Sequence, residues 1–107
     1  MSTSPDDTAP PGIQQPDGGL PPRTVAVTNQ RGLHARAAAK FVKLAGQYNA
    51  TLLVSNRGTE VSGLSIMGLM MLAAAPGCTI EIKGSGPQGE EAVNALIALV
   101  EAKFDED

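Results

Sequence analysis

Aromatic residues, cysteine and histidine are scarce in this sequence of 107 residues. Tryptophan is absent, and there are only one tyrosine and two phenylalanines, so the core must be mainly aliphatic. The single cysteine, Cys78, excludes a disulfide within the chain and favours a reducing compartment. His34 is the only histidine and lies far from Cys78 in the chain, so we expect no metal site and no cofactor.

Long apolar runs are missing as well. No stretch approaches the roughly 20 apolar residues that a membrane span requires. The first residues are polar and have neither the basic start nor the apolar core of a secretory signal. We therefore expect a cytoplasmic protein with no membrane contact, and a hydrophobic fraction of 42% suits one small folded domain.

Proline is concentrated at one end of the chain. Residues 1–22 hold six of the eight prolines, together with serine, aspartate, glutamine and glycine. Such a composition offers little to bury, so we expect residues 1–22 to be a disordered Pro-rich tail and residues 23–107 to form the folded domain. An interaction segment and a simple spacer both remain open as roles for the tail.

Acidic residues are absent from the first part of the predicted domain. The net charge is −3, yet the segment from Arg23 to Arg57 has six basic residues and no acidic one, while eight of the eleven acidic residues occur at Glu60 or later. This local excess of positive charge would attract a phosphate or an acidic protein surface. The six basic residues are Arg23, Arg31, Arg36, Lys40, Lys43 and Arg57.

Hydrophobic periodicity predicts the element order β-α-β-β-α-β-α. The predicted strands are "RTVAVTN", "ATLLVSN", "TEVSG" and "CTIEIKGSG", with the second and third joined by a tight "RG" turn. The predicted helices are "HARAAAKFVKLAGQY", "SIMGLMMLAAAPG" and "PQGEEAVNALIALVEAKF". Strands with one polar face favour an α+β fold in which an antiparallel sheet is covered on one side by helices.

Apolar spacing also assigns the faces of these elements. In the last strand, Ile80 and Ile82 should point inward and Glu81 and Lys83 outward. The first helix should bury Ala38, Phe41, Val42 and Ala45, and the last helix should bury Val93, Leu96, Ile97, Val100 and Phe104.

His34 falls at the predicted start of the first helix. A neutral imidazole can attack phosphorus near pH 7, and the unpaired N–H groups of a helix N-terminus can stabilise the phosphate that results. Arg36 can reach a phosphoryl oxygen, while Arg31 and Gly32 precede the histidine. An ordinary surface or capping histidine fits the same residues, so they alone leave the choice open.

Three stretches resemble HPr, the histidine-containing phosphocarrier family of the bacterial phosphoenolpyruvate-dependent phosphotransferase system. They are "GLHARAAAKFV", "SIMGLMMLAAAPGCTIEI" and "KGSGPQGEEAVNALIALVEAKF", and the resemblance covers about residues 23–106. It implies an open-faced β-sandwich, with a four-stranded antiparallel sheet and three helices on one face. It also implies a phosphoryl carrier rather than an independent enzyme.

The resemblance assigns roles to the residues of the motif. His34 would accept a phosphoryl group on Nδ1 from phosphorylated Enzyme I and pass it to IIA-type proteins, for sugar uptake or regulation. Arg36 would stabilise the phosphohistidine. Many members of the family have proline after this arginine, whereas this chain has Ala37. Alanine is also a strong helix former, so we expect only some added flexibility.

The resemblance further implies a regulatory serine and a docking surface. Ser65 matches a serine that an HPr kinase phosphorylates in some bacteria, although helix capping alone would explain a serine there. Docking would involve the apolar residues Leu33, Ile66, Met67 and Met70 and a basic rim of Arg31, Lys40 and Lys43. Burial in the core is the alternative for the apolar ones.

Two other functions remain to be weighed. A small nucleic-acid-binding domain has a compatible element order, but Phe41, Tyr48 and Phe104 are assigned to helices or their ends and offer no stacking platform on the sheet. We therefore expect no nucleic-acid partner. An HPr-like regulatory binder without phosphotransfer is disfavoured because His34 and Arg36 are both present. We expect a monomer, and the alanine and methionine runs favour a regulatory branch.

Overall fold

The computed structural model describes residues 21–72 and 75–105. Residues 1–20 of the predicted tail, and the last two residues of the predicted domain, lie outside the described residues. The strands are β1 (Arg23–Ala26), β2 (Thr51–Asn56), β3 (Thr59–Ser62) and β4 (Thr79–Ser85). The helices are α1 (Ala35–Ala45), α2 (Ile66–Met71) and α3 (Gly89–Glu101), followed by a short 3₁₀ turn (Lys103–Asp105).

The four strands form one antiparallel sheet in the order β1-β4-β2-β3. In its register Val25 faces Ile80, and Val54 lies between Ile82 on one side and Val61 on the other. The predicted α+β fold, an open-faced β-sandwich with three helices, is therefore confirmed. The predicted turn between β2 and β3 is also present, with positive φ at Arg57 and Gly58.

One face of the sheet is buried and the other is open. Alternate residues point into the core, which is the period-two pattern that the sequence predicted. The opposite face carries polar side chains, including Glu81 and an ion pair at 3.6 Å between Lys83 and Glu60. The buried side chains of the inner face are Val25, Val27, Leu52, Val54, Ile80 and Ile82.

The helices contribute the other half of the core. In α1, the predicted residues Ala38, Phe41 and Ala45 are buried and Val42 is half-buried, with Ala37 as an additional buried residue. α3 approaches β4 closely at Gly84, where a Cβ atom would lie 2.6 Å from the Cγ2 atom of Val93. Only glycine therefore permits this packing distance.

The predicted extent of the last helix is wrong at its C-terminal end. The α-helix ends at Glu101, because Lys103, Phe104 and Asp105 have φ values of 56°, 55° and 60° and turn the backbone to the left-handed region. Phe104 is nevertheless fully buried, as the periodicity predicted. The ring of Phe104 is therefore buried although the α-helix has already ended and the backbone has changed direction.

Candidate functional site

His34 is the N-cap residue of α1. Its backbone is extended, with φ of −80° and ψ of −179°, and its carbonyl accepts the first helical hydrogen bond from Ala38 N–H at 2.8 Å. The helix therefore begins where the sequence predicted. The imidazole is half-buried, and its Nδ1 atom accepts a hydrogen bond of 3.2 Å from the backbone N–H of Arg36.

This hydrogen bond has a consequence for the chemistry of the imidazole. A ring nitrogen that accepts a hydrogen bond presents its lone pair to the donor, so Nδ1 is the unprotonated nitrogen and the neutral ring carries its proton on Nε2. The lone pair of Nδ1 points at the N-terminus of α1, where unpaired amides and the positive end of the helix dipole favour an anion. A nucleophile and an anion-stabilising environment therefore occupy the same place.

The loop before His34 is closed by Asn29. Its side-chain amide donates to the Gly32 carbonyl at 2.8 Å, and its main-chain carbonyl accepts from Gly32 N–H at 3.3 Å. Sequence reasoning missed Asn29, although an asparagine that precedes a glycine by three residues is a turn signal. Leu33 is only 5% exposed, so for this residue the structure favours the alternative of burial in the core over the expected docking role.

Basic residues lie along α1 and in the loop before it. Arg31, Arg36 and Lys43 are exposed, as a steering or phosphate-binding role requires. Lys40 differs from these three because it is half-buried. Its ammonium group donates a hydrogen bond of 2.6 Å to the carbonyl of Phe104. Of the predicted rim, Arg31 and Lys43 therefore face solvent, and Lys40 also links α1 to the C-terminal turn.

Ala37 occupies the third position of α1 and is fully buried. The helix forms its first turn at this position without a proline. Unlike proline, Ala37 keeps a backbone N–H, and this group precedes the first intrahelical donor, Ala38. The N-terminus of α1 therefore has one more amide donor than a proline would allow.

Helix α2 is fixed at both ends by side chains. The Ser65 hydroxyl accepts a hydrogen bond of 2.9 Å from Gly68 N–H, which confirms the predicted N-cap. The Asn56 amide donates at 3.1 Å to the carbonyl of Leu72, the last residue of the helical turn. Sequence reasoning did not find Asn56, because the contact joins the end of β2 to a helix 16 residues away.

The exposed large hydrophobic residues of the described chain all lie on or next to α2. Met67 and Met71 are 72% and 74% exposed, whereas Leu69 and Leu72 are buried beneath them. α2 packs against α1, the helix that begins after His34. We call this patch the α2 apolar surface: Leu64, Ile66, Met67, Met70 and Met71. Leu64 and Met71 are additions to the predicted docking residues.

Across residues 21–72 and 75–105, no group of three or more histidine, cysteine, aspartate and glutamate side chains is placed to hold a metal ion. Over the same part of the chain, each helix is too short or too polar to cross a bilayer.

Comparisons with known proteins agree with this geometry. The family model described as "PTS HPr component phosphorylation site" matches residues 22–102. The "Phosphocarrier protein HPr" of Cupriavidus necator is 44% identical over 84 residues, which are 78% of this chain and 94% of the relative. The "Phosphocarrier protein NPr" of Escherichia coli K12 is 45% identical over 86 residues, which are 79% of this chain and 96% of the relative.

A solved structure has the same fold. The crystal structure of HPr-C-His from Thermoanaerobacter tengcongensis superposes with a TM-score of 0.78 at 36% sequence identity. The superposition covers 82% of this chain and 99% of the other.

Proposed function

Because the chain belongs to the HPr family of phosphocarrier proteins of the phosphotransferase system, we propose that His34 carries a phosphoryl group between two protein partners. Phosphorylated Enzyme I is the donor, and a IIA-type protein is the acceptor. One observation carries the proposal: the lone pair of His34 Nδ1 lies at the amide-lined N-terminus of α1. The protein is thus a shuttle whose chemistry is completed by its partners.

The proposed transfer needs only the imidazole and the donor. The Nδ1 lone pair forms a bond to phosphorus while the bond between phosphorus and the donor's leaving atom breaks, and that atom keeps the electron pair. The Arg36 amide then donates to a phosphoryl oxygen instead of to Nδ1. The guanidinium of Arg36 and the unpaired amides of α1 stabilise the negative charge of the phosphohistidine.

Partner docking is proposed to involve α2 and the basic residues in α1 and in the loop before it. Flexible and polarisable methionine side chains adapt to different apolar surfaces, which suits a carrier that must bind a donor and an acceptor in turn. Arg31 and Lys43 add long-range attraction for acidic partners. Both features are exposed in the structure.

A nucleic-acid-binding function has less support. Phe41 and Phe104 are fully buried under the sheet, and Tyr48 is half-buried in the loop after α1. These are all the aromatic residues in the sequence, so the open face of the sheet has no base-stacking side chain.

A direct phosphorylation assay tests the proposed function. The protein is incubated with phosphoenolpyruvate and Enzyme I, and the mass is measured before and after mild acid treatment. We expect one acid-labile phosphate on the parent protein and none on His34→Ala. Uptake by the His34→Ala variant, or no uptake by the folded parent protein, would overturn the proposal.

The identity of the accepting protein would show whether this protein serves sugar uptake or regulation within the phosphotransferase system. Relatives named HPr and NPr match this chain almost equally well, so sequence identity does not separate sugar uptake from regulation. We favour regulation, on the alanine and methionine runs noted above, and we propose that the protein acts as a cytoplasmic monomer. Transfer from the phosphorylated protein to purified IIA-type proteins of each branch distinguishes the two roles.

A further inference from the structure

Asn29 is the only polar side chain that is fully buried among the described residues. Removal of an amide from water is costly unless hydrogen bonds replace the lost hydration, so a buried asparagine in a small aliphatic core needs a specific partner. Here the partner is the loop that leads to His34. Asn29 precedes His34 by five residues.

The partner of Asn29 is Gly32, and the contact is made twice. The side-chain N–H of Asn29 donates to the Gly32 carbonyl at 2.8 Å, and the main-chain carbonyl of Asn29 accepts from Gly32 N–H at 3.3 Å. Gly32 has φ of 64°, a conformation that glycine adopts without steric cost. The two hydrogen bonds therefore fix both the position and the direction of the peptide that follows Gly32.

The closed turn is anchored on each side. Before it, Val27 N–H donates to the Cys78 carbonyl at 2.8 Å, and the Val27 carbonyl accepts from Gly77 N–H at 2.7 Å. After it, Leu33 inserts into the core and is 5% exposed. Because the next residue is His34, little freedom remains between the core and the imidazole.

From this arrangement we propose that Asn29 is a positioning residue for phosphoryl transfer. Through the Gly32 carbonyl, its buried amide sets the backbone angles at His34 and so aims Nδ1 at the N-terminus of α1. The role rests on the proposed function of His34 as phosphoryl acceptor. Asn29 does not touch the phosphoryl group; it acts on the direction of attack and leaves partner docking unchanged.

Steady-state transfer from Enzyme I is the first test. Asn29→Ala removes the amide, and Asn29→Asp keeps its size but replaces the donor with an acceptor facing the Gly32 carbonyl. We expect the turnover of each variant as a substrate to fall about tenfold or more at saturation, with KM within about twofold of the parent value. An unchanged turnover, or a loss confined to KM, would overturn the proposal.

Two control variants separate positioning from folding. Asn49→Ala changes an exposed asparagine whose backbone, through its N–H and carbonyl, bonds to Gln88, and it should leave transfer unchanged. Val54→Ala removes a fully buried side chain from β2 and lowers stability without touching the loop. If Val54→Ala slows transfer as much as Asn29→Ala at equal folded fraction, the effect is one of stability and the proposal fails.

The imidazole itself gives an independent signature. Long-range ¹H–¹⁵N correlation spectra report which ring nitrogen of a neutral histidine carries the proton. We expect the parent and Asn49→Ala to show the proton on Nε2 and none on Nδ1, and Asn29→Ala to show a mixture of the two tautomers. An identical spectrum in Asn29→Ala would contradict the positioning role, even if the transfer rate changed.

A measurement on the parent protein remains decisive if the Asn29 variants do not fold. The side-chain amide protons of Asn29 should exchange with solvent at least tenfold more slowly than those of exposed Asn49, because they are buried and bonded. Equal exchange rates would overturn the proposal. If the parent protein takes up no phosphate, the proposed function of His34 is refuted. The spectra and exchange rates would still test whether Asn29 positions the His34 imidazole.

Discussion

The Lys40 ammonium group donates a hydrogen bond of 2.6 Å to the main-chain carbonyl of Phe104. This contact joins the middle of α1 to a C-terminal turn in which three successive residues have positive φ. Left-handed backbone is unfavourable for residues with a side chain, so other contacts must hold this turn. The buried ring of Phe104 and the charged donor of Lys40 supply two of them.

Removal of this link should destabilise the fold. We expect Lys40→Ala to lower the free energy of unfolding by about 1–2 kcal/mol, because it leaves the Phe104 carbonyl without its charged donor. Lys43→Ala, which removes an exposed lysine from the same helix, should change it by less than about 0.5 kcal/mol. Urea unfolding of both variants measures the difference, and equal values would show that the hydrogen bond contributes nothing.

Loss of the guanidinium should affect phosphotransfer rather than folding. We expect Arg36→Ala to reduce the rate of His34 phosphorylation by about tenfold to hundredfold, since one charged donor to the phosphoryl group is lost. Arg36→Lys should be intermediate, because lysine keeps the charge but not the planar pair of donors. Quench-flow with phosphorylated Enzyme I measures these rates.

Lys83→Ala is the matched control for Arg36. It also removes one positive charge, but from the open face of the sheet, where Lys83 pairs with Glu60. An equal loss of rate in Lys83→Ala would show that net charge, not the position of Arg36, governs transfer.

Partner docking should depend on the exposed methionines. We expect Met67→Ser and Met71→Ser to weaken binding of Enzyme I by about 1–2 kcal/mol each, because each removes apolar surface that a partner would cover. Since both side chains are largely exposed, the stability of the free protein should hardly change. Calorimetric titration measures the affinity, with the exposed α3 variant Ala98→Ser as control; unchanged affinity in both methionine variants would exclude docking through α2.

Variants of Ser65 distinguish its role as a helix cap from a role in regulation. Ser65→Ala should destabilise the protein by about 1 kcal/mol, because Gly68 N–H loses its acceptor. Ser65→Asp should retain the cap but weaken Enzyme I binding, since a charge then lies beside the α2 apolar surface. Asn49→Asp adds the same charge to an exposed loop remote in sequence and should leave binding unchanged; equal weakening in both would assign the effect to net charge.

Several features of the site could be predicted from the sequence, and others could not. The start of α1 at His34, the Ser65 cap and the burial of Phe41 follow from local spacing. The burial of Leu33 does not, because a single apolar residue in a loop has no period to assign its direction. The order of the strands is likewise absent from local patterns, since alternation defines faces but not neighbours.

By itself, the sequence determined which elements form, which of their faces are apolar, and that a lone histidine begins a helix in a basic segment. It could do so because propensity, periodicity and capping act over a few residues. Tertiary structure alone decided that the Asn29 amide is buried against Gly32, that Asn56 ends α2 and that Lys40 reaches Phe104, 64 residues away. Burial and contacts between distant segments exist only once the sheet and helices have packed, so no local pattern in the sequence could predict them.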